Sequence, residues 1–305
     1  MYSRPRLAQK YLQYYLSAAN GKGHGIHSPF VYDFVRNVLN DRTEYPPYAR
    51  VEALRGQLER DRTLLEVEDL GAGSALQSTR QRSVGDIARH AAKSKKLGQL
   101  LYRITRYYRP AIVLELGTSL GLSTAYLSAG AADGAAARGT DAKGGAGGKV
   151  TGTNVANTAE SDGSASGRIT GANARVYTIE GAAAVAAVAE KNLRSLGCDN
   201  VRPVIGNFDD RIETVLDKAG GVDLAFVDGN HRLQPTLRYF NLLMSRSSGS
   251  AILIFDDIHW SREMEDAWDA IKQDPRVYCT IDLFFIGLVV LREEFKVKQE
   301  FVIRF

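Results

Sequence analysis

Apolar positions follow two different periods along this chain, and the change of period divides it. Over residues 1 to about 108 the spacing is helical. Arg6 to Ala18 carries Leu7, Tyr11, Tyr14 and Tyr15 near an i, i+4, i+7 pattern, which predicts an amphipathic helix. Ser28-Pro29 reads as an N-cap followed by proline at the first helical position, with Phe30 to Leu39 as the helix it opens. Leu97 to Tyr108 repeats the pattern until Pro110 limits it. From Ala111 onward short β-branched runs take over: Ala111 to Leu116, Arg175 to Ile179, Val201 to Ile205, Val222 to Val227 and Ala251 to Phe255. Each precedes a turn and a helix-length segment, which predicts parallel strands covered on both faces. Val277 to Leu283 and Phe285 to Leu291 are nearly contiguous and predict an antiparallel C-terminal hairpin, and Phe295 to Phe305 alternates loosely enough to add an extended piece. The expected fold is α/β: a doubly wound, mostly parallel seven-stranded sheet, with residues 1–94 as an N-terminal helical cover and 95–305 as the main domain.

One stretch fits neither period. Residues 129–174 hold 24 Gly or Ala among 46 positions. Such a segment buries too little apolar surface to offset its ordering entropy, so a disordered insertion is expected, the alternative being a short hairpin near Lys149 to Val155.

Composition narrows the class. The chain has 305 residues, 44% hydrophobic and 24% charged, with a formal charge of +4. That small surplus gives no reason to invoke a nucleic-acid scaffold. Two separate cysteines, Cys198 and Cys279, argue against disulfide stapling, and neither a signal-peptide core nor a membrane-length apolar run stands out. A cytoplasmic enzyme with a small-molecule acceptor is the expectation, with the N-terminal helices covering the sheet or the substrate crevice and offering a surface for a homodimer.

Candidate chemistry lies at the strand ends. The first strand runs into Glu115-Leu-Gly117-Thr118-Ser119-Leu-Gly121-Leu-Ser123, a glycine turn that lets backbone approach a ligand. A dinucleotide fingerprint would need glycines where Ser119 and Leu122 stand, and a P-loop would need Gly-Lys-Ser/Thr. An acidic strand tip with a looser turn suits a ligand carrying a cationic amino group. The second strand ends in Glu180-Gly181, where a carboxylate can accept both ribose hydroxyls. Glu115 and Glu180 stand 65 positions apart, and discounting the 46-residue intrusion leaves 19, the spacing of a compact nucleoside-binding βαβ unit.

With these residues the chain resembles the class I S-adenosylmethionine-dependent methyltransferases, whose fold is Rossmann-like. Leu114 to Ser123 is similar to that family's first motif and Ile179-Glu180-Gly181 to its second. Ile205-Gly-Asn207-Phe208-Asp209 falls where members contact adenine, a role the resemblance gives to Asn207, Phe208 and Asp209. The resemblance implies S-adenosylmethionine as cofactor. Two motifs are set aside. Glu68-Asp-Leu-Gly-Ala-Gly-Ser follows no apolar strand run and reads as a turn or loop, and Tyr45-Pro-Pro-Tyr48 reads as a polyproline turn.

After the fourth strand comes Asp228-Gly-Asn-His231, and after the fifth Asp256-Asp257-Ile-His259-Trp260. Loops at the carboxyl ends of neighbouring strands face one crevice, and crowded carboxylates need a cation among them. Oxygen-rich ligation favours Mg²⁺ over zinc. This end resembles catechol O-methyltransferase and the macrolide-sugar O-methyltransferases, and the match implies Asp228, Asp256 and Asp257 as metal ligands, with Asp228 also near the cofactor. His259 matches the base of the sugar group and His231 stands near that of the catechol group, so both are carried as candidates. The competing role for the acids is turn formation, with Asp257 and His259 capping the next helix. The reaction expected is methyl transfer to a hydroxyl oxygen. An RNA or protein acceptor is the main alternative, with Arg103, Arg106 and Arg109 as a local basic patch, and an NAD-dependent oxidoreductase is a further one. His24 and His27 could reach a ligand but fit a loop better, and Trp260 and Trp268 are expected to pack.

Overall fold

In the computed structural model the strand runs after Ala111 assemble into one sheet, and residues 1–19, 21, 27–69, 78–141 and 174–305 are described. In chain order the elements are α1 (Arg4–Ser17), α2 (Pro29–Phe34) continued by a π-helical turn (Val35–Leu39), α3 (Pro46–Leu58), β1 (Leu64–Asp69), β2 (Ser78–Ser83), α4 (Val84–His90) and α5 (Lys95–Tyr108). Then follow β3 (Ile112–Leu116), α6 (Leu122–Asp141), β4 (Arg175–Glu180), α7 (Ala183–Leu196), β5 (Val201–Ile205), α8 (Phe208–Ala219), β6 (Val222–Val227) and α9 (Leu233–Arg246). The chain ends with β7 (Ser247–Asp256), α10 (Arg262–Gln273), β8 (Cys279–Asp282), β9 (Ile286–Val290) and β10 (Gln299–Val302).

Among the described residues the main sheet has eight strands in the order β10-β8-β9-β7-β6-β3-β4-β5, with β1 and β2 as a separate antiparallel ribbon. All pairings in the main sheet are parallel except those of β9, which runs antiparallel to β7 and β8. The eighth strand is β10, the loosely alternating tail, which adds beyond β8. The chain winds outward from β3 to β5 and then returns to lay β6 on the other side of β3. That reversal opens a crevice at the carboxyl ends of β3 and β6, the standard place for a ligand in such sheets.

Side-chain alternation builds two cores. Val113 faces the layer formed by α5, α6 and the N-terminal helices, whereas Leu114 and Leu116 face α8, α9 and α10. The N-terminal residues are part of the first core: Phe34, Val38 and Tyr48 are packed in the same cluster as Leu100, Val113 and Leu288. Residue 94 is therefore not a packing boundary. Gly130 lets α6 lie against α5, since a Cβ there would meet the Tyr102 carbonyl oxygen at 2.5 Å.

Several expectations change. The Tyr45-Pro-Pro-Tyr48 stretch is not a polyproline turn but the start of α3, with Tyr45 as N-cap and Pro46 at the first turn, where its missing N–H costs nothing. Tyr48 then packs among Tyr45, Tyr102 and Tyr126. Glu68 and Asp69 close a strand, paired with Ser78–Ser83; residues 70–77 lie outside the described residues. The glycine-alanine stretch is not uniformly loop: its first part, through Asp141, completes α6, as alanine's helix propensity favours. Residues 142–173, including the segment around Lys149 to Val155, lie outside the described residues. Ser28 does precede α2, but its hydroxyl makes no cap hydrogen bond. No helix among the described residues is long and apolar enough to cross a membrane.

Candidate active site

The two acids that anchor the sequence argument come together. Val113 and Val176 face the first core, so alternation puts Glu115, Thr178 and Glu180 on that same side of adjacent strands. Glu115 pairs in register with Thr178, which leaves Glu180 two residues further toward the crevice. Glu115 is fully buried; Oε2 accepts from the Thr124 and Thr178 hydroxyls at 2.5 and 2.7 Å, while Oε1 has no partner among the described residues. Burial pushes its carboxyl up to about 7 against the pull of the Thr124, Thr178 and Ser123 hydroxyls. A buried, unpartnered carboxylate oxygen needs a donor, and a ligand ammonium would supply one.

The turn itself is fixed by backbone hydrogen bonds. Gly117 has φ of +104° and donates to the Ile179 carbonyl at 3.0 Å; Ser119, at φ +49°, donates its backbone N–H to Glu180 Oε2 at 2.8 Å. Ala182 donates to the other Glu180 oxygen at 3.0 Å. Burial raises the Glu180 carboxyl, and the N–H groups of Ala182, Ser119 and Gly181 oppose it. Thr118 is buried, its hydroxyl 2.5 Å from that of Thr178, and Gly121, at φ +83°, leads into α6. Positive φ recurs in the loops after β6 (Asn230, +60°) and β7 (Asp257, +55°).

Beside this turn Asp228, Asp256 and His231 converge, their ligating atoms within 4.8 Å of one another. A cation does sit among them, and it belongs to the chain. Lys93, just ahead of α5, places Nζ 2.9 Å from Asp228 Oδ1 and bonds Asp256 Oδ2. Burial raises the Asp228 carboxyl, but Lys93 and His231 outweigh it and hold it below its ordinary value; burial and the neighbouring Asp228 push Asp256 well up. Asp257 stands apart, with Oδ2 3.9 Å from His231 Nε2. The expected Mg²⁺ set of Asp228, Asp256 and Asp257 therefore does not fit as arranged: the two oxygens that would bind the ion already hold an ammonium, and the third acid faces histidine.

A family profile described as a methyltransferase domain matches residues 114–258, which span the Glu115 turn, Glu180, Asp228 and the acidic pair after β7. Over these residues, just under half of its length, the chain carries a methyltransferase domain. Cofactor-bound Rv0187 from MTB is 17% identical, with a TM-score of 0.51 over 87% of this chain and 96% of that one. The SAH-bound Podospora anserina methyltransferase PaMTH1 is 13% identical, with a TM-score of 0.53 over 96% and 98%. These two share the fold. The uncharacterized protein R132 of Acanthamoeba polyphaga mimivirus is 32% identical over 72 residues, 22% of this chain and 33% of that protein, so the chain spans about a third of this relative.

His259, just beyond the residues matched to the methyltransferase domain, has a different task from the one its position after the acidic pair implies. Its Nε2 lies 2.8 Å from Asp282 Oδ2 and its Nδ1 3.1 Å from Glu265 Oε1, and its ring stacks on Phe284. Both nitrogens are committed to carboxylates, so neither is left to take a proton from an acceptor. Glu265 also receives Tyr2 Oη and Lys10 Nζ, so the imidazole helps fasten α1 across the loop after β7. Burial opposes its charge, but Asp282 and then Glu265 raise its pKa. A raised histidine contributes stability that is complete below its ordinary value near 6.5 and is lost as pH climbs through the folded value. Hydrogen-exchange protection in α1 is thus expected to fall between pH 6 and 9, and to become pH-independent in His259→Gln; unchanged protection in the wild type would contradict this role.

The methyltransferase's adenine-side candidates are divided. Asn207 caps α8, its side chain accepting from the Asp209 N–H at 3.0 Å, and Asp209 is bound by Arg238 and by Tyr239 Oη at 2.6 Å. That leaves Phe208, whose ring lies so close to Gly229 that a Cβ there would meet it at 2.4 Å. The basic patch also disperses: Arg103 is buried on the Val38 carbonyl and Arg106 sits over the Tyr45 ring. His24 lies outside the described residues, and His27 is exposed. Trp268 packs in the core as expected, while Trp260 is half-buried and its carbonyl accepts the Tyr2 N–H. Lys93 carries no motif signal, whereas Thr124, which bonds Glu115, belongs to the glycine turn that opens α6.

Proposed function

We propose that this chain transfers a methyl group from S-adenosylmethionine to a hydroxyl oxygen of a small molecule. The observation that carries the reading is the pairing, in one crevice, of a buried acceptor at Glu115 Oε1 with His231, which stands beside Asp228 in the loop after β6. Bound cofactor would supply a sulfonium-activated methyl. Glu115 would hold its ammonium, Glu180 its ribose hydroxyls and Phe208 the face of its adenine.

At the acceptor end His231 is the base that remains once His259 is committed. Its Nε2 stands 3.5 Å from Asp228 Oδ1 and 3.9 Å from Asp257 Oδ2, so a proton taken from the acceptor hydroxyl would be stabilised by two carboxylates. The methyl carbon leaves sulfur for oxygen, the proton passes to His231, and the products are a methyl ether and S-adenosylhomocysteine. Most of the acceleration would come from holding the oxygen in line with the methyl group.

The test is incubation with ¹³C-methyl-labelled S-adenosylmethionine and fractionated small-molecule extract, read by carbon NMR. A methoxy signal supports the reading. Label in N-methyl groups, or in RNA or protein only, would overturn it.

A further inference from the structure

The crowded carboxylates at the ends of β6 and β7 require positive charge, and the chain provides it from a distant segment. Lys93 comes from the residue before Ser94, whose hydroxyl caps α5 by accepting from the Leu97 N–H at 3.3 Å. The cap fixes where the helix begins and so where the preceding lysine emerges. Its side chain is 16% exposed, that of Asp228 13% and that of Asp256 1%. Burial opposes the ammonium, but Asp256, Asp228 and Asp257 together hold it firmly charged.

Without that side chain, Asp228, Asp256 and His231 would present a donor set of the size that holds a divalent ion. With it, two of the three donors are engaged. An ion on the same oxygens would lie within a few ångströms of the ammonium in a site largely shut off from water, where like charges repel strongly.

We propose that Lys93 is the resident cation of this site, standing where a divalent metal would otherwise bind and offering its remaining N–H to the acceptor oxygen. An ammonium has three donors, and two are directed at Asp228 and Asp256. One remaining donor can hold one oxygen but cannot chelate two, so the acceptor needs a single hydroxyl rather than a vicinal pair. The acceptor half of this proposal rests on the methyl-transfer reading; the metal half does not.

Mn²⁺ titration followed by electron paramagnetic resonance tests the metal half without any turnover. Wild-type protein is expected to leave Mn²⁺ free up to millimolar concentrations. Lys93→Met vacates the position and is expected to bind Mn²⁺ at least tenfold more tightly, with a rise in melting temperature that Lys93→Met/Asp256→Asn loses. Lys93→Arg, which keeps the cation, should remain silent. Tight Mn²⁺ binding by the wild type that disappears in Asp256→Asn would overturn the proposal, as would a folded Lys93→Met that gains none. The wild-type titration decides the matter even where Lys93→Met does not fold. For any acceptor found, turnover unchanged by EDTA is expected, and turnover that EDTA abolishes and Mg²⁺ restores would refute metal independence while leaving methyl transfer intact.

Discussion

Replacing Gly117 with alanine is expected to abolish S-adenosylhomocysteine binding and to destabilise the protein by about 2–6 kcal/mol. Two costs combine. A backbone at φ +104° strains any residue with a Cβ, by roughly 1–3 kcal/mol. The added methyl would also meet the Asp228 carbonyl oxygen at 2.1 Å, and such overpacking typically adds about 1–3 kcal/mol. Relief requires the turn after β3 to move away from the loop after β6, against the Asp228 N–H to Leu116 carbonyl bond of 2.8 Å. That movement pulls apart the cofactor and acceptor ends together. Gly197 is the control: it has φ of +72° at the end of α7, but a Cβ there meets nothing within 4 Å. Gly197→Ala should cost only about 1 kcal/mol and leave binding intact. Chemical denaturation and calorimetry measure both quantities, and normal ligand affinity in Gly117→Ala would mean that the turn does not face the cofactor.

Replacing His231 with alanine is expected to lower kcat by about 10²–10⁴-fold while leaving cofactor affinity within a few-fold of wild type. The imidazole lies beside Asp228 and Asp257 in the loop after β6, so its loss should affect proton removal rather than the nucleoside. His259→Gln should do the reverse. It loosens α1, because Glu265 and Asp282 lose their shared partner, yet changes kcat little. Measuring kcat and cofactor Kd for both variants separates the roles. Equal losses of kcat in the two, or a loss confined to His259→Gln, would reassign the base.

The sheet and the juxtaposition of Glu115 with Glu180 were legible because they depend on local signals. A β-branched run, an acid at its tip and a glycine turn lie within ten residues of each other at Glu115, and parallel pairing with β4 brings Glu180 alongside. The count of intervening residues was a poorer guide: α6 continues to Asp141, so the 19-residue spacing is not what unites the two acids. Adjacent strand register does. The acceptor end was less readable, since it is assembled from distant segments. Lys93 reaches Asp256 across 163 positions, and no periodicity marks a lysine ahead of a helix cap as the partner of a buried pair. Crowding among the acids did imply a cation, but not whether an ion or a side chain would supply it. His259 misled for a similar reason. Its place after Asp256-Asp257 suggested a base, whereas Asp282 and Glu265, brought in by β8 and α10, occupy both of its ring nitrogens.

The central claim is that a buried Glu115 carboxylate receives the ammonium of a sulfonium nucleoside, and calorimetric titration with S-adenosylhomocysteine at pH 6 and pH 8 tests it most directly. Because burial sets this carboxyl near 7, ionisation is incomplete at pH 6 and nearly full at pH 8. Wild-type protein should bind one equivalent, about tenfold more tightly at pH 8, and release a proton on binding at pH 6. Glu115→Gln should bind more weakly at both values and show neither the pH dependence nor the proton release. Affinity that is the same in both proteins at both pH values, or no binding by the wild type, would contradict the account.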